Sequence, residues 1–245
     1  MTWPAVPWGE IPSVTSTSLR DADAGALREF GIDALQLMEV AGWQVARFTD
    51  TFVGNVQGKR VTVVAGSGNN GGDGLVAARF LHQRGAIVTA SIITARDPTS
   101  LPARHAATLR RLGVTLLDAP DGIDASSDLL VDGLLGTGIR PPLRDPAPRI
   151  IAAINATGRP IVAIDVPSGM DADTGAGSEG AVRAAATVTL AAPKAGLART
   201  TNAGRVFLAD IGMPAGLFGA DADAIAALYR LGDLIELQKP ETTPS

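Results

Sequence analysis

The feature that most constrains this chain is an alternation between uniformly apolar segments of strand length and segments with helical periodicity. Seven apolar runs are predicted strands, at 61–65, 86–93, 114–117, 129–132, 161–165, 187–191 and 206–208. Several are apolar at every position, which is typical of a parallel sheet that helices cover on both faces. Right-handed crossovers between such strands predict a three-layer α/β/α sandwich with a mostly parallel central sheet.

Segments with apolar residues every three or four positions precede and separate these strands. They predict helices at 13–30, 32–52, 73–83, 102–112, 145–156 and 220–237. No linker, internal repeat or heptad pattern divides the chain, so we expect a single domain over residues 13–238. The Pro-punctuated residues 1–12 are predicted to form an N-terminal arm outside the core, and residues 239–245 a flexible tail.

Composition excludes several classes of function. The 245 residues carry 21 basic and 25 acidic side chains, a net charge of −4 that argues against a general nucleic-acid binder. Cysteine is absent, which excludes disulfides, a thiolate nucleophile and a cysteine zinc site. The two histidines, His82 and His105, fall on predicted helices and are expected to have packing or surface roles. With no signal peptide or membrane-spanning run, we expect a cytoplasmic protein that binds no membrane.

Polar and glycine-rich segments follow four of the predicted strands directly. They are 66–74 (GSGNNGGDG), 132–138 (DGLLGTG), 165–171 (DVPSGMD) and the weaker 192–196 (APKAG). Ligands of open α/β sheets bind beyond the carboxyl ends of the strands. We therefore expect these segments to meet in one polar pocket at one edge of the sheet.

The first of these segments matches the G-x-G-x-x-G dinucleotide fingerprint, with Asp73 as the expected cap of the next helix and free N–H groups facing an anion. Nothing acidic occurs between Gly74 and Arg96, where the fingerprint expects a carboxylate for the ribose. The doubled asparagine is also foreign to it. A standard nicotinamide-dependent dehydrogenase is therefore disfavoured, and a turn needed only for close helix–strand packing stays open.

Asp132 and Asp165 each end an apolar strand. Each alone could simply cap the turn that follows. A carboxylate among apolar neighbours is costly unless it is paired, however, and a cation or a substrate hydroxyl could serve as the partner. Oxygen donors from Asn70, Asp132 and Ser168 suit a hard cation, and their single negative charge favours a monovalent ion over magnesium or calcium.

Two other charged residues carry open alternatives. Lys194 could reach a phosphate or could equally be solvated beside Pro193, and Glu39 could brace the glycine-rich loop. No G-x-S-x-G elbow or P-loop is present, so Ser/His/Asp catalysis and P-loop phosphate binding lack support.

Together, the segments resemble the YjeF N-terminal domain family, the NAD(P)H-hydrate epimerases. The resemblance runs from about residue 13 to 214 and rests on LMEVAG at 37–42, GSGNNGGDG at 66–74, VDGLLGTG at 131–138, IDVPSG at 164–169 and ADIGMP at 209–214. It implies a Rossmann-like fold, a homodimer and interconversion of the R and S hydrates of the damaged cofactor NAD(P)HX.

The resemblance also implies a set of site residues. Asp165 matches the family's acidic substrate contact and is the predicted catalytic group. Asn70, Asp132 and Ser168 match the family's potassium ligands. The predicted substrate contacts are Asn69, Asn70, Gly71, Gly72, Asp73, Gly136, Thr137, Gly138, Ile139, Arg140, Pro141, Pro142 and Asp165.

Many bacterial relatives carry a dehydratase domain; we expect this chain to act without one and the NAD(P)HX dehydratase to be a separate protein. Two alternatives remain. A non-catalytic nucleotide-binding or scaffold member of the fold would not need Asn70, Asp132, Asp165 and Ser168 together. A nicotinamide-dependent oxidoreductase would bind intact NADH and transfer hydride.

Overall fold

The structure is a computed structural model that describes residues 3–140 and 142–239. Within these residues, nine strands form one sheet in the order β1-β9-β8-β7-β6-β5-β2-β3-β4. The strands are β1 (Ala5–Pro7), β2 (Arg60–Ala65), β3 (Ile87–Ile92), β4 (Thr115–Asp118), β5 (Leu129–Gly133), β6 (Ile161–Ile164), β7 (Ala186–Leu190), β8 (Arg205–Ala209) and β9 (Leu234–Gln238). All neighbours are parallel except β8 and β9. The prediction of a mostly parallel sheet is confirmed, and β2 to β8 are the seven predicted strands.

The helices are α1 (Ser16–Phe30), α2 (Ala34–Phe52), α3 (Asn69–Gln83), α4 (Leu101–Arg111), α5 (Ala147–Ala156), α6 (Ala195–Ala198) and α7 (Ala222–Tyr229). Short 3₁₀ helices lie at Trp8–Glu10, Ser178–Gly180 and Ala215–Asp221. Local sequence sets the first boundaries: Gly31, at φ 67°, ends α1, and a capping box between Asp33 and Gln36 begins α2.

The sheet separates two apolar layers, as the uniformly apolar strands predict. On one face, Val61 and Val63 of β2 join a core that includes residues of α1 to α4. On the other, Val64 and Leu130 pack with isoleucines of α5. Because side chains alternate across a strand, adjacent valines of β2 enter opposite layers.

The crevice of the sheet lies between β2 and β5. From β2 the chain proceeds through β3 to β4 on one side, whereas β5 to β8 extend on the other. Such a reversal of strand order is where doubly wound sheets bind ligands. Within the described ranges, no helix combines the length and apolar content needed to cross a bilayer.

The prediction of an N-terminal arm outside the core is corrected for residues 3–12. Residues Ala5–Pro7 form β1, which pairs with β9. Trp8 is buried, and the Trp3 ring lies 5.0 Å from the Phe207 ring. Burying aromatic rings stabilises this segment, and an edge strand tolerates its proline. Residues 1–2 lie outside the described residues.

The prediction of a helix over 220–237 is also wrong in its second half. Helix α7 ends at Tyr229, and β9 pairs antiparallel with β8. Gly232, at φ 155°, lies in the turn between them. A short apolar run does not distinguish helix from strand by periodicity alone, and here pairing with the open edge of β8 determines its structure. Of the predicted tail, only Lys239 is described; its Nζ donates to the Thr200 carbonyl at 2.7 Å.

Candidate functional site

A pocket of about 480 Å³ opens where the carboxyl ends of the central strands meet helices α1 and α2. All four polar segments that follow predicted strands contribute to it: residues 66–70 after β2, 134–139 after β5, Asp165 after β6 and Lys194 after β7. Helix α1 adds Leu19, Arg20 and Asp23. The expected convergence of these segments is therefore present.

The glycine-rich loop begins α3 earlier than predicted. The helix begins at Asn69 after Gly68, so Asp73 lies inside its second turn and does not cap it. A Cβ on Gly66 would lie 1.9 Å from the Leu134 carbonyl oxygen, and one on Gly71 would lie 1.9 Å from the carbonyl oxygen of Gly66. These glycines allow the loop to approach the β5 loop closely, while the first N–H groups of α3 remain without helical partners.

Beneath the loop 134–139 lies a group of oxygen donors that we call the oxygen cluster: Asn70, Asp132, Ser168 and the Leu135 carbonyl. Ser168 donates through Oγ to Asp132 Oδ1 at 2.6 Å and through its N–H to Oδ2 at 2.9 Å. Asn70 Nδ2 donates to the Leu135 carbonyl at 2.9 Å, and the Leu135 N–H donates to Ser168 Oγ at 2.8 Å. Three residues that are far apart in sequence are thus joined through one loop.

Asp132 carries the only carboxylate of the oxygen cluster and is 0% exposed. Burial raises its pKa to about 6, although hydrogen bonds from Ser168 and Leu134 oppose the rise. Among the described residues, no basic side chain forms an ion pair with it. A buried carboxylate surrounded by neutral oxygens fits a hard monovalent cation in donor chemistry.

Inside the pocket lies a second group, the carboxylate cluster: Asp23, Asp73, Asp165 and Lys194. Asp165 has a φ of 67°, a left-handed conformation that is uncommon outside glycine. Its Oδ1 accepts from Lys194 Nζ and from the Leu190 N–H at 3.2 Å. Lys194 is 1% exposed and also donates to the Leu190 carbonyl at 2.5 Å. The alternative of a solvated Lys194 is therefore wrong: it forms a buried ion pair with the predicted catalytic residue.

Asp73 and Asp23 face the same pocket from α3 and α1. Burial raises the pKa of Asp73 well above its ordinary value, and the charges of Asp165 and Asp23 add to the rise. Asp23 is exposed at the rim of the pocket, where partial desolvation and the charge of Asp165 raise its pKa. The carboxylate cluster therefore combines one ion-paired carboxylate with two carboxyls that bind their protons more tightly than usual.

The structure places the predicted substrate contacts in different surroundings. Those that line the pocket are Asn69, Asn70, Asp73, Gly136, Thr137, Gly138, Ile139 and Asp165. Gly71 and Gly72 are instead buried behind it; a Cβ on Gly72 would lie 2.5 Å from the Met38 sulfur. Arg140 is exposed and does not line the pocket, and Pro142 borders a separate depression. Pro141 lies outside the described residues.

Some residues in and around the candidate site had little sequence signal. Asp23 lies beside the apolar stripe of α1, and only the docking of this helix over the sheet edge brings it to the pocket. Lys194 follows a strand end, but its burial was not predictable from its neighbours. Glu39 pairs with Arg79 and so joins α2 to α3, not to the glycine-rich loop that it was expected to brace. His105 is buried on α4, and burial lowers its pKa.

Comparison with known proteins gives a family for this arrangement. A family model described as YjeF-related protein N-terminus matches residues 34–196. The chain is 38% identical, over 83% of its length, to the bifunctional NAD(P)H-hydrate repair enzyme Nnr of Salinibacter ruber, of which it covers 41%. It is 34% identical, over 84% of its length, to the NAD(P)H-hydrate epimerase of Rhodopirellula baltica, of which it covers 86%.

A solved structure supports the same grouping. The crystal structure of yeast ynu0 matches 85% of this chain and 94% of its own with a TM-score of 0.77 and 29% identity. The chain spans less than half the length of the bifunctional relatives that it matches. Since the family model covers most of the chain, and the fold and segment order agree with it, the chain belongs to the family described as YjeF-related protein N-terminus.

Proposed function

We propose that this protein is an NAD(P)H-hydrate epimerase that interconverts the R and S forms of NAD(P)HX. The observation that carries the proposal is the meeting of four strand-end segments in one pocket that contains the Asp165–Lys194 ion pair. Relatives named for NAD(P)H-hydrate epimerisation and repair support the substrate class. A buried ion pair often adds no net stability to a fold. A protein that served only as a scaffold would therefore have no need of this pair in a pocket.

The substrate chemistry matches a pocket with excess negative charge. In NAD(P)HX the added hydroxyl is on the ring carbon next to N1, whose lone pair helps to expel it. The result is a cationic iminium. Water can add to its ring carbon from the opposite face, which gives the other epimer. Carboxylates held close to the ring stabilise such a cation.

Asp165 is the proposed catalytic residue. Lys194 Nζ donates to its Oδ1, so a buried ammonium lies directly against this carboxyl group. As a carboxylate it stabilises the iminium and accepts the proton of the incoming water, which is general base catalysis. Lys194 orients it, since the ammonium also donates to the Leu190 carbonyl and so has a fixed position.

The pyrophosphate is proposed to lie at the beginning of α3, near Asn69 and Asn70, whose backbone begins the helix. Unpaired N–H groups and the helix dipole favour an anion there. Gly136 to Ile139 are proposed to contact the substrate from the other wall of the pocket. The anionic and cationic parts of the substrate thus meet different ends of one pocket.

Potassium is proposed as a bound ion of the oxygen cluster, held by Asn70, Asp132 and Ser168. When bound, it would supply a positive charge to the buried carboxylate of Asp132 and fix the loop 134–139. We also propose a homodimer in the cytoplasm, with the S hydrate consumed by an NAD(P)HX dehydratase. The dimer is testable by light scattering of the purified chain.

The test is a coupled assay on racemic NADPHX with a dehydratase specific for the S form. The dehydratase alone is expected to stop when the S form is exhausted, and addition of this protein is expected to bring complete conversion to NADPH. Asp165→Asn protein at the same concentration is the control. If the R form persists with the wild-type protein, the proposed function is wrong.

A further inference from the structure

The carboxyl group of Asp73 is nearly buried and faces the pocket, although nothing in the structure of α3 requires an acidic residue at this position. The side chain is 8% exposed and lines the pocket. Burial and neighbouring charges shift the pKa of this carboxyl group, and no hydrogen bond from a described residue is among the causes of the shift. The side chain faces the pocket, and its place inside α3 excludes a role in helix capping.

The charges around Asp73 come from three other segments. Asp23 on α1 and Asp165 after β6 are acidic, and Lys194 before α6 is the basic group that acts on it. Arg20 also lines the pocket but is exposed. Elsewhere on α3, Arg79 pairs with Glu39 of α2, whose carboxylate lies 4.0 Å from His105 Nδ1 of α4.

Asp73 and Asp165 therefore differ in a way that suits two roles. Asp165 shares its oxygen with a buried ammonium, whereas Asp73 has negative neighbours and an open face toward the pocket. Paired carboxyls whose environments separate their proton affinities commonly act as acid and base of one reaction. The ion-paired member serves as the base and the other as the acid.

We propose that Asp73 is the catalytic acid that protonates the departing hydroxyl of the hydrated nicotinamide ring, opposite Asp165 as the base. The proposal rests on the epimerase function proposed above. It gives Asp73 a role in bond breaking, beyond contact with the nucleotide.

The proton and electron movements balance over one turnover. The C–O bond breaks with its electron pair on oxygen, the Asp73 proton joins that oxygen to form water, and the N1 lone pair forms the C=N bond. A water oxygen then bonds to the same carbon from the other face, the C=N electrons return to N1, and the water proton passes to Asp165. Proton exchange with solvent restores the starting state of both groups. The reverse reaction follows the same steps backwards, so Asp165 then returns its proton to the departing hydroxyl and Asp73 accepts the proton of the incoming water.

The test compares Asp73→Asn with the wild type in the coupled NADPHX assay from acid to alkaline pH. We expect kcat to fall by at least about 100-fold with KM changed less than about threefold, since loss of a positioned acid typically costs that much. In the wild type, kcat is expected to fall on the alkaline side as Asp73 loses its proton. Residual activity of the variant is expected to lack that limb.

The matched variant is Asp23→Asn, which removes a neighbouring carboxylate without removing the acid. Because the charge of Asp23 raises the pKa of Asp73, this variant is expected to keep the alkaline limb and move it to lower pH. An Asp73→Asn enzyme within threefold of wild-type kcat, or an unmoved limb in Asp23→Asn, would overturn the proposal while leaving the epimerase function intact. An inactive wild type would overturn both.

Discussion

The oxygen cluster and the carboxylate cluster begin from the same sequence feature, an aspartate at the end of a buried parallel strand, and differ in what surrounds it. Asp132 near the end of β5 is fully buried and receives hydrogen bonds from Ser168 and Leu134. Asp165 after β6 reaches the pocket and pairs with Lys194. Adjacent strands thus provide one carboxylate suited to hold a loop and one suited to chemistry. The partner, not the residue type, distinguishes them.

The largest expected effect is that of Asp165→Asn in the carboxylate cluster. Removal of the base should reduce kcat about 10²–10⁴-fold. It also leaves Lys194 buried without its counter-charge, which should destabilise the fold by about 3–5 kcal/mol. Coupled kinetics and chemical unfolding measure the two effects separately.

The double variant Asp165→Asn/Lys194→Met separates chemistry from stability. Replacing a buried ion pair with an apolar side chain is often close to neutral, so most of the lost stability should return. Activity should not return. A double variant with restored kcat would contradict the role of Asp165.

In the oxygen cluster, Asp132→Asn is expected to reduce activity less, by roughly 10-fold to 100-fold, because it acts through the loop 134–139. Wild-type activity should be higher in potassium than in a matched tetramethylammonium salt, and the variant should lose that dependence. Asp128→Asn is the control, since Asp128 is exposed at the opposite end of the same strand region and accepts from the Arg60 N–H. Equal ion dependence in wild type and Asp132→Asn would contradict the potassium proposal.

A smaller effect concerns the stability of Asp73→Asn. The folded state raises the pKa of Asp73, so the native fold is progressively penalised as pH rises through that raised value. The variant should therefore unfold about 2–4 °C above the wild type near pH 8, the shift that ~1 kcal/mol produces in a chain of this size. The difference should shrink as pH falls toward the ordinary pKa of an aspartate, about 4, where folded and unfolded states both hold the proton. Thermal scans that show a less stable variant across this range would indicate a structural role for Asp73.

The smallest effect is expected outside both clusters, at the Glu39–Arg79 pair between α2 and α3. Both side chains are partly exposed, so Glu39→Gln should cost only about 0–1 kcal/mol and leave kcat within about twofold. Urea unfolding and the coupled assay measure this. A large loss of activity would show that the Glu39–Arg79 pair contributes to catalysis together with the two clusters.

The sequence predicts much of the fold because uniformly apolar runs mark buried parallel strands. It fails at one edge of the sheet, where β9 pairs with β8 and the three-residue β1 pairs with β9, because these pairings are tertiary contacts. The convergence of strand-end segments was predictable from topology alone. The environment of each residue was not, because it depends on tertiary contacts.

Two residues show the physical reason. Glycines disfavour helices locally, which predicts a start at Asp73; the close packing of Gly71 against Gly66 instead allows α3 to begin at Asn69. Lys194 lies 29 residues from Asp165, and only the pairing of β6 with β7 brings their segments together. Neither contact has a local signature.

The most direct test of the central claim is to incubate purified S-NADPHX with the protein in H₂¹⁸O and separate the epimers. The account predicts that R-NADPHX forms faster than without protein and carries ¹⁸O on the hydrated ring carbon, since water re-enters from the opposite face. R-NADPHX that forms no faster than in buffer, or without the label, would contradict it.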